Sequence, residues 1–206
     1  MKILIDNGHG IETIGKCSPD ALKGLVNSPL YFKEYQWCRE VANMVCDLLQ
    51  AEGFDAQLLV PELKDIALAE RVRRVNRFDA KDTLLISIHV NAAGSGNSWM
   101  NARGWSIYTS RGITEADILA ECIYQSAKKT FKYPQTIRTN SNLSFGHDFE
   151  ENFYILRNSR CPAVLIENFF QDNKEDVKYL KTNKGKAECA EVIVLGIKDY
   201  LKNKKK

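Results

Sequence analysis

The sequence predicts a single three-layer α/β domain, in which a mostly parallel, twisted sheet carries helices on both faces. Over its 206 residues, apolar runs of strand length alternate with longer amphipathic segments. The run over 83–90 is almost free of polar residues, which is typical of a strand covered on both faces. Alternation of this kind favours parallel strands joined by helical crossovers. Because no repeat or linker interrupts the chain, residues 1–202 are predicted as one domain and residues 203–206 as a basic tail.

The individual elements follow from periodicity and turn residues. Apolar runs predict strands at 2–6, 54–60, 83–90, 104–109, 153–156 and 163–166. Apolar residues that recur every three or four positions predict helices at 32–52, 66–78, 114–131 and 186–201. Polar or small-residue loops are predicted at 7–30, 91–103 and 133–152.

The helix predicted at 32–52 has the clearest periodicity. Its predicted apolar positions are Tyr35, Cys38, Val41, Ala42, Val45, Leu48 and Leu49. Gly53 is predicted to end this helix as its C′ residue, where a left-handed backbone favours glycine. In the helix predicted at 66–78, Leu68, Val72 and Val75 are expected on one face and arginines on the other.

Composition excludes several classes of protein. The net charge of +3 is modest, and no basic face or nucleic-acid motif accompanies it, so we expect no nucleic-acid partner. No stretch approaches the roughly 20 apolar residues of a membrane span. The six cysteines form no C-x-x-C pair and are expected to be reduced thiols, with Cys38 and Cys46 as small core residues. We expect a monomer.

Four residues are candidate functional residues because each lies at or near the end of a predicted strand or at the start of a helix. His9 follows the first predicted strand, His89 ends the third, and Glu167 closes the apolar run at 163–166. Glu34 lies in the first turn of the helix predicted at 32–52. Because parallel strands bring their carboxyl ends to one edge of a sheet, where α/β proteins bind ligands, these side chains could hold a divalent metal with a base beside it.

Each residue also has a structural explanation. A loop histidine such as His9 is more often structural than functional, and His89 could equally be a hydrogen-bonded core residue. The carboxylate of Glu34 would interact favourably with the helix dipole wherever it pointed, and nothing local favours Glu34 over Glu40 in the same helix. Glu167 is harder to explain this way, because a buried carboxylate is costly unless it is paired or functional. Burial would raise the pKa of Glu167 toward neutrality, which suits a general base.

The order of motifs resembles the zinc-dependent N-acetylmuramoyl-L-alanine amidases. The family's strand followed by D-P-G-H-G is similar to Ile5-Asp6-Asn7-Gly8-His9-Gly10, and its S-I-H-A-N-A to Ser87-Ile88-His89-Val90-Asn91-Ala92. Its helix-opening glutamate corresponds to Glu34, with the helix ending at Gly53-Phe54, and an Asp, Leu, Arg and Asn recur as Asp65, Leu68, Arg71 and Asn76. Its P-A-V-L-V-E, then G-F-x-x-N-x-x-D, resembles 162–167 and then Phe169-Phe170, Asn173 and Asp176.

The resemblance implies a fold, a cofactor and a reaction. His9, Glu34 and His89 would bind Zn²⁺, in a His₂Glu set that leaves one position open. Glu167 would be the catalytic general base that activates a water molecule. The substrate would be peptidoglycan, cleaved at the amide between N-acetylmuramic acid and L-alanine.

The sequence also departs from the family pattern. Asn7 replaces the usual proline, Pro61 stands where an arginine often ends the second strand, and Asn168 replaces the glycine after the glutamate. The family's Arg-Gly pair is represented by Arg138-Thr139. None of these changes removes a proposed metal ligand, so they bear on substrate fit more than on chemistry.

Other polar and aromatic residues offer alternatives. His147, Asp148, Glu150 and Glu151 could form a different metal site, but a solvated loop that borders the substrate groove is the preferred interpretation of 133–152. Trp99 and Trp105 could stack on sugar, although an aromatic residue near a strand more often packs in the core.

Two other functions remain open from sequence. One is a peptidoglycan-binding or regulatory protein without turnover, and the other is a different zinc peptidase or deacylase on the same scaffold. No secretory signal follows Met1, so the chain is expected to be made in the cytoplasm unless a signal was removed. A cell-wall enzyme of this kind would be a phage lysin released at lysis or an enzyme of a sporulating mother cell, and we favour the lysin.

Overall fold

The computed structural model describes residues 1–132, 137–140 and 146–204. Within them, strands span Lys2–Asn7 (β1), Asp55–Leu58 (β2), Thr83–Asn91 (β3), Ser106–Thr109 (β4), Phe149–Glu150 (β5) and Ala163–Phe170 (β6). Helices span Pro19–Leu22 (α1), Glu34–Ala51 (α2), Leu68–Val75 (α3), Glu115–Thr130 (α4), Tyr154–Asn158 (α5), Lys174–Leu180 (α6) and Asn183–Lys204 (α7). A 3₁₀ turn at Ala80–Asp82 precedes β3.

The six strands form one sheet in the order β2-β1-β3-β6-β4-β5. All neighbouring pairs are parallel except β4 and β6, which are antiparallel. The mostly parallel sheet predicted from sequence is therefore confirmed. One consequence was not predicted: the amino end of β4, rather than its carboxyl end, lies beside the carboxyl end of β6.

Helices cover both faces of the sheet, as predicted. On one face, the apolar sides of α2, α4 and α7 pack against strand residues such as Ile5, Ile88 and Ile166. On the other face, α3 and α5 pack against the strand residues that alternate with these, such as Leu4 and Leu85. Successive strand residues point to opposite faces, so the central strands have to be apolar throughout.

Helix α2 follows its predicted periodicity except at Tyr35, which is partly buried, and Leu48. Cys38, Val41, Val45 and Leu49 are fully buried, whereas Leu48 is 44% exposed. The chain leaves the helix through Gly53, whose φ of +82° confirms the predicted left-handed C′ position.

The strand predicted at 153–156 is wrong, because this segment forms helix α5. A run of four apolar residues is too short for periodicity to distinguish a helix from a strand. Ile155 and Leu156 are buried against the sheet, which satisfies the apolar pattern in either conformation. The segment predicted as irregular at 133–152 contains β5, and its residues 133–136 and 141–145 lie outside the described part of the chain.

Two short helices were not predicted. Helix α1 lies inside the loop predicted at 7–30, and its N-cap Ser18 accepts a hydrogen bond from the amide of Ala21. Helix α6 is capped by Asn173, whose side chain accepts hydrogen bonds from the amides of Glu175 and Asp176. An N-cap Asn with two acids in the first turn is a recognised helix-start signal.

The prediction for α3 was partly wrong. Leu68 is 51% exposed, whereas Arg71, expected on the polar face, is 2% exposed. The terminal helix α7 runs from Asn183 to Lys204, so the predicted tail begins inside a helix, and Lys205 and Lys206 lie outside the described residues.

Cys38 and Cys46 are buried core residues, as predicted, and all six cysteines are free. Among the described residues, no helix is both long enough and apolar enough to cross a membrane.

Candidate metal centre

Three of the four residues singled out from sequence converge at the carboxyl ends of β1 and β3. The Oε1 atom of Glu34 lies 3.2 Å from Nε2 of His9 and 3.1 Å from Nδ1 of His89. One potential ligand atom from each residue lies within 4.8 Å of the other two. The two imidazole rings meet edge to face, with centroids 4.9 Å apart.

The glycines on either side of His9 make this convergence possible. A Cβ atom on Gly8 would lie 2.4 to 2.8 Å from ring atoms of His89. A Cβ atom on Gly10 would lie 2.1 to 2.5 Å from backbone atoms of Lys64 and Asp65. Such distances are far inside van der Waals contact, so a larger residue would displace the His89 ring or the neighbouring loop. The space left by the missing side chain of Gly8 is therefore occupied by the ring of His89 and not by that of His9.

The backbone at His9 is strained, and hydrogen bonds from Arg71 hold it in place. His9 has a φ of +65°, which a non-glycine residue rarely adopts. Buried Arg71 donates to the carbonyl of Asn7 at 2.9 Å and to the carbonyl of His9 at 3.5 Å. It also pairs with the buried carboxylate of Asp6 at 2.7 Å, which accepts a further hydrogen bond from Ser87 Oγ. This network fixes the turn that presents His9.

Helix α2 begins at the candidate metal centre itself. The amide of Glu34 donates to the carbonyl of Lys16, and the Glu34 side chain is 1% exposed. Its Oε1 accepts a hydrogen bond from the amide of Val90 at 3.0 Å. Burial opposes ionisation of Glu34, but hydrogen bonds with His89 and His9 outweigh it and hold the pKa of this carboxyl well below its usual range. Glu34 is therefore an anion at neutral pH.

His89 responds in the complementary way. Burial disfavours its charged form, but the hydrogen bond and charge of Glu34 outweigh burial and raise the pKa of His89. The side chain therefore binds a proton readily when nothing else neutralises Glu34. A divalent cation would take the place of such protons, since metal binding requires neutral imidazole and ionised carboxylate.

The polar atoms of this group fit a metal ion. Oε2 of Glu34 is buried and has no hydrogen-bond partner among the described residues, and Nε2 of His9 is buried with only Oε1 of Glu34 beside it, at 3.2 Å. Zn–N and Zn–O bonds of about 2.0–2.2 Å place tetrahedral ligand atoms roughly 3.3–3.5 Å apart, close to the two Glu34–histidine distances. Two imidazoles and one carboxylate are a donor set that suits zinc and leaves a fourth position open.

The fourth residue, Glu167, stands beside this group. It lies on β6 directly opposite His89 in the register of the parallel pair β3–β6. Its Oε2 is buried without a hydrogen-bond partner among the described residues. Burial, assisted by the negative charge of Glu34, raises the pKa of Glu167 to about 7 against the opposing charge of His89. Such a carboxyl can exchange a proton near neutral pH.

Sequence reasoning missed the groups that support these four residues. Arg71 and Asp6 are both buried, whereas the sequence predicts the arginines of this helix on its polar face. Asn168 donates from Nδ2 to the carbonyl of His89 at 3.1 Å, which ties β6 to β3 beside Glu167. A polar residue inside an apolar strand, as at Asp6 and Ser87, was the available signal.

The alternative metal site does not form among the described residues. His147 contacts Glu121 on α4 at 2.9 Å and stacks on Tyr124, with ring centroids 4.2 Å apart. Asp148 is buried and accepts a hydrogen bond from Thr109, so this part of the predicted solvated loop is packed. The potential metal cluster in the described part of the chain is the one at His9, Glu34 and His89.

The two tryptophans differ. Trp105 is fully buried and packs against Phe131, so it cannot stack on a sugar. Trp99 is partly exposed, and its indole N–H donates to Asp20 at 3.2 Å.

Comparison with known proteins places this geometry in a family. The chain is 28% identical over 207 residues to an endolysin of Bacillus phage SPP1, a match that covers 99% of this chain and 67% of the relative. It is 27% identical over 190 residues to the N-acetylmuramoyl-L-alanine amidase CwlM of Bacillus licheniformis, covering 89% of this chain and 62% of the relative. The chain thus spans about two thirds of the length of these curated relatives.

Solved structures of amidases and endolysins are also similar to this chain. The crystal structure of an N-acetylmuramoyl-L-alanine amidase from Clostridium difficile 630 superposes with a TM-score of 0.77 at 26% identity, covering 98% of this chain and 97% of that one. The catalytic domain of the CD27L endolysin gives a TM-score of 0.68 at 26% identity, with 97% of each chain covered. A family model described as N-acetylmuramoyl-L-alanine amidase matches residues 3–199. This chain therefore belongs to the N-acetylmuramoyl-L-alanine amidase family.

Proposed function

We propose that this chain hydrolyses the amide bond between N-acetylmuramic acid and L-alanine in peptidoglycan, with zinc as its cofactor. Family membership supports the reaction class. The observation that carries the proposal is the convergence of His9, Glu34 and His89 with Glu167 beside them. Residues 1–202 would be the catalytic domain, and the enzyme would act as a lysin on the cell wall.

His9, Glu34 and His89 would hold the cofactor at the carboxyl ends of β1 and β3. Zinc bound by His9, Glu34 and His89 would supply a Lewis acid that polarises an amide carbonyl and favours water as a nucleophile near neutral pH. Glu34 supplies the negative charge of the site, and its Val90 hydrogen bond fixes the direction of Oε1. Arg71 holds the His9 turn in place.

Glu167 moves the proton. Its unpartnered Oε2 accepts a proton from the attacking water, and the same carboxyl then donates it to the amine nitrogen of the departing L-alanine. A carboxyl whose pKa lies near 7 is suited to both halves of this transfer. Zinc beside it would shift that balance toward the ionised form, which is the form that acts first.

The direct test is the hydrolysis of purified peptidoglycan by the zinc-loaded protein. The proposal predicts new free amino groups on L-alanine and intact glycan strands, with activity lost on chelation and restored by zinc. The Glu167→Gln variant is the matched control for hydrolysis by a contaminant. Binding to peptidoglycan without release of amino groups would instead support a binding or regulatory protein, and release of other amino termini would support another peptidase or deacylase.

A further inference from the structure

Arg138 occupies a defined position beside the sheet. The preceding residue, Ile137, forms an isolated parallel bridge with Trp105, and the amide of Arg138 donates to the carbonyl of Trp105 at 2.7 Å. This short segment therefore continues the edge of the sheet next to the start of β4. In this register, Arg138 lies alongside Ser106.

In the sheet register, Ser106 lies between Arg138 and the proposed catalytic carboxyl of Glu167. In the antiparallel pair β4–β6, Ser106 is the register partner of Glu167. Side chains of directly opposed residues project from the same face of a sheet. Glu167, Ser106 and Arg138 therefore form a row on one face, with Arg138 two strand spacings, or roughly 10 Å, from Glu167.

The guanidinium of Arg138 is held by aromatic rings. Its Cζ atom lies 5.2 Å from the ring centroid of Phe170 and 5.6 Å from that of Phe149. An arginine stacked on aromatic faces keeps the edge of its guanidinium free for hydrogen bonds and loses little entropy when it binds an anion.

No protein carboxylate neutralises this charge in the described residues. Arg71, Arg73, Arg74 and Arg103 each pair with an Asp or Glu, whereas no described carboxylate lies within 4.0 Å of the Arg138 guanidinium. The sequences of residues 133–136 and 141–145 contain no Asp or Glu. Arg138 is thus a fixed cation on the catalytic face of the sheet.

We propose that Arg138 binds a carboxylate on the stem peptide of the substrate, at the residue that follows L-alanine. This inference rests on the proposed function, which puts the scissile amide beside Glu167. A carboxylate on the second residue of an extended peptide lies up to roughly 7 Å from the amide that precedes the first residue, which is within the span from Glu167 to Arg138. The second stem residue is D-glutamate or its amide, D-isoglutamine, so Arg138 would distinguish a free α-carboxylate from a carboxamide.

The chemistry of the pair favours the free acid. A guanidinium forms two parallel hydrogen bonds to a carboxylate, and both are strengthened by opposite charges. A carboxamide offers only one acceptor oxygen. Its N–H groups would face the guanidinium, which also carries only N–H donors and cannot accept a hydrogen bond. We expect about a 10- to 100-fold higher kcat/KM for the free acid, which corresponds to one charge-assisted contact.

The test compares two synthetic muramyl tripeptides that differ only at the α-carboxyl of the second residue, free or amidated. The zinc-loaded parent protein should prefer the free acid. Arg138→Gln should lose this preference by slowing hydrolysis of the acid while leaving hydrolysis of the amide nearly unchanged, and Arg138→Lys should keep part of it. Arg111→Gln, an exposed arginine beyond the opposite end of β4, is the matched control and should keep the full preference.

The outcomes separate this inference from the proposed function. Failure of the parent protein to cleave either substrate would overturn the proposed function and this inference with it. Cleavage of both at equal rates by the parent protein would overturn only the role of Arg138. An unchanged preference in Arg138→Gln would do the same. If Arg138→Gln fails to fold, the preference of the parent protein and its reduction in Arg138→Lys still decide the matter.

Discussion

His89 on β3 and Glu167 on β6 are register partners on adjacent parallel strands. Neighbouring strands lie about 4.8 Å apart, so this pairing sets a proposed metal ligand and an acid side by side without any contribution from a flexible loop. The strands on which they stand are buried on both faces. Rigid placement of this kind is what a metal-assisted hydrolysis requires of its base.

Glu167→Gln should keep zinc and lose turnover. Gln cannot accept a proton, but it has nearly the same shape and does not touch the three-residue ligand set. We expect hydrolysis of peptidoglycan to fall by about 100- to 10,000-fold, the usual contribution of a general base. Zinc content and turnover are measured on the same preparation. Wild-type turnover in this variant would remove Glu167 from the mechanism.

His9→Ala and His89→Ala should each weaken zinc binding. Each substitution leaves Glu34 and one histidine where three ligands converge, and two protein ligands hold a metal ion much less tightly than three. We expect each purified variant to lose its zinc on dialysis against a chelator that the parent protein withstands. If either variant kept one zinc per chain, the ligand set would be wrong.

Gly8→Ala should weaken zinc binding without removing any ligand. The added Cβ would lie 2.4 Å from Cε1 of His89, so the ring has to move. We expect at least about a 10-fold loss of zinc affinity, as is usual when the orientation of a ligand is disturbed. Gly94→Ala is a suitable control, because the nearest atoms there belong to the flexible side chain of Met100 at 3.2 Å. Equal affinity in the two variants would show that the ring has room to adapt.

In the zinc-free protein, Glu167 should lower the free energy of unfolding by an amount that grows as the pH rises. Burial raises the pKa of Glu167 from 4.5 to about 7, so the folded state holds this proton more tightly than the unfolded state does. The stability contributed by the protonated form is complete below pH 4.5 and is lost as the pH rises through 7. Glu167→Gln removes the ionisation, so it should stabilise the zinc-free protein in alkaline solution relative to acid.

This difference is measured by urea unfolding of both proteins with a chelator present, at about pH 5 and about pH 8. At the higher pH the gain of Glu167→Gln should exceed its gain at the lower pH by about 1–3 kcal/mol, at roughly 1.4 kcal/mol for each unit of pKa. The same difference at both pH values would mean that Glu167 ionises normally in the folded protein.

Much of the fold was predictable because periodicity and strand polarity are local signals. The double-sided burial of β3 and the helical face of α2 follow directly from residue order. The antiparallel placement of β4 was not predictable, since it depends on which strand edge remains open after the parallel strands have paired. The short apolar run at 153–156 carried no information that separates helix α5 from a strand.

Some residues of the candidate site were likewise predictable from local sequence signals, and others were not. Polar residues at strand ends identified His9, His89 and Glu167, while the resemblance to a family was needed to prefer Glu34 over Glu40. The structure explains that preference: Glu34 is buried against Val90, whereas Glu40 pairs with Lys186 at the surface. Arg71 escaped prediction because burial of a charged helix residue depends on a distant partner, Asp6, that no local pattern reveals.

The most direct test of the account is the location of zinc in crystals of the zinc-loaded protein, from diffraction data collected on both sides of the zinc absorption edge. The account predicts one anomalous peak within bonding distance of His9, Glu34 and His89, with the carboxyl of Glu167 facing its open side. The absence of a peak among these three side chains, or a peak elsewhere in a protein that is fully active, would contradict it.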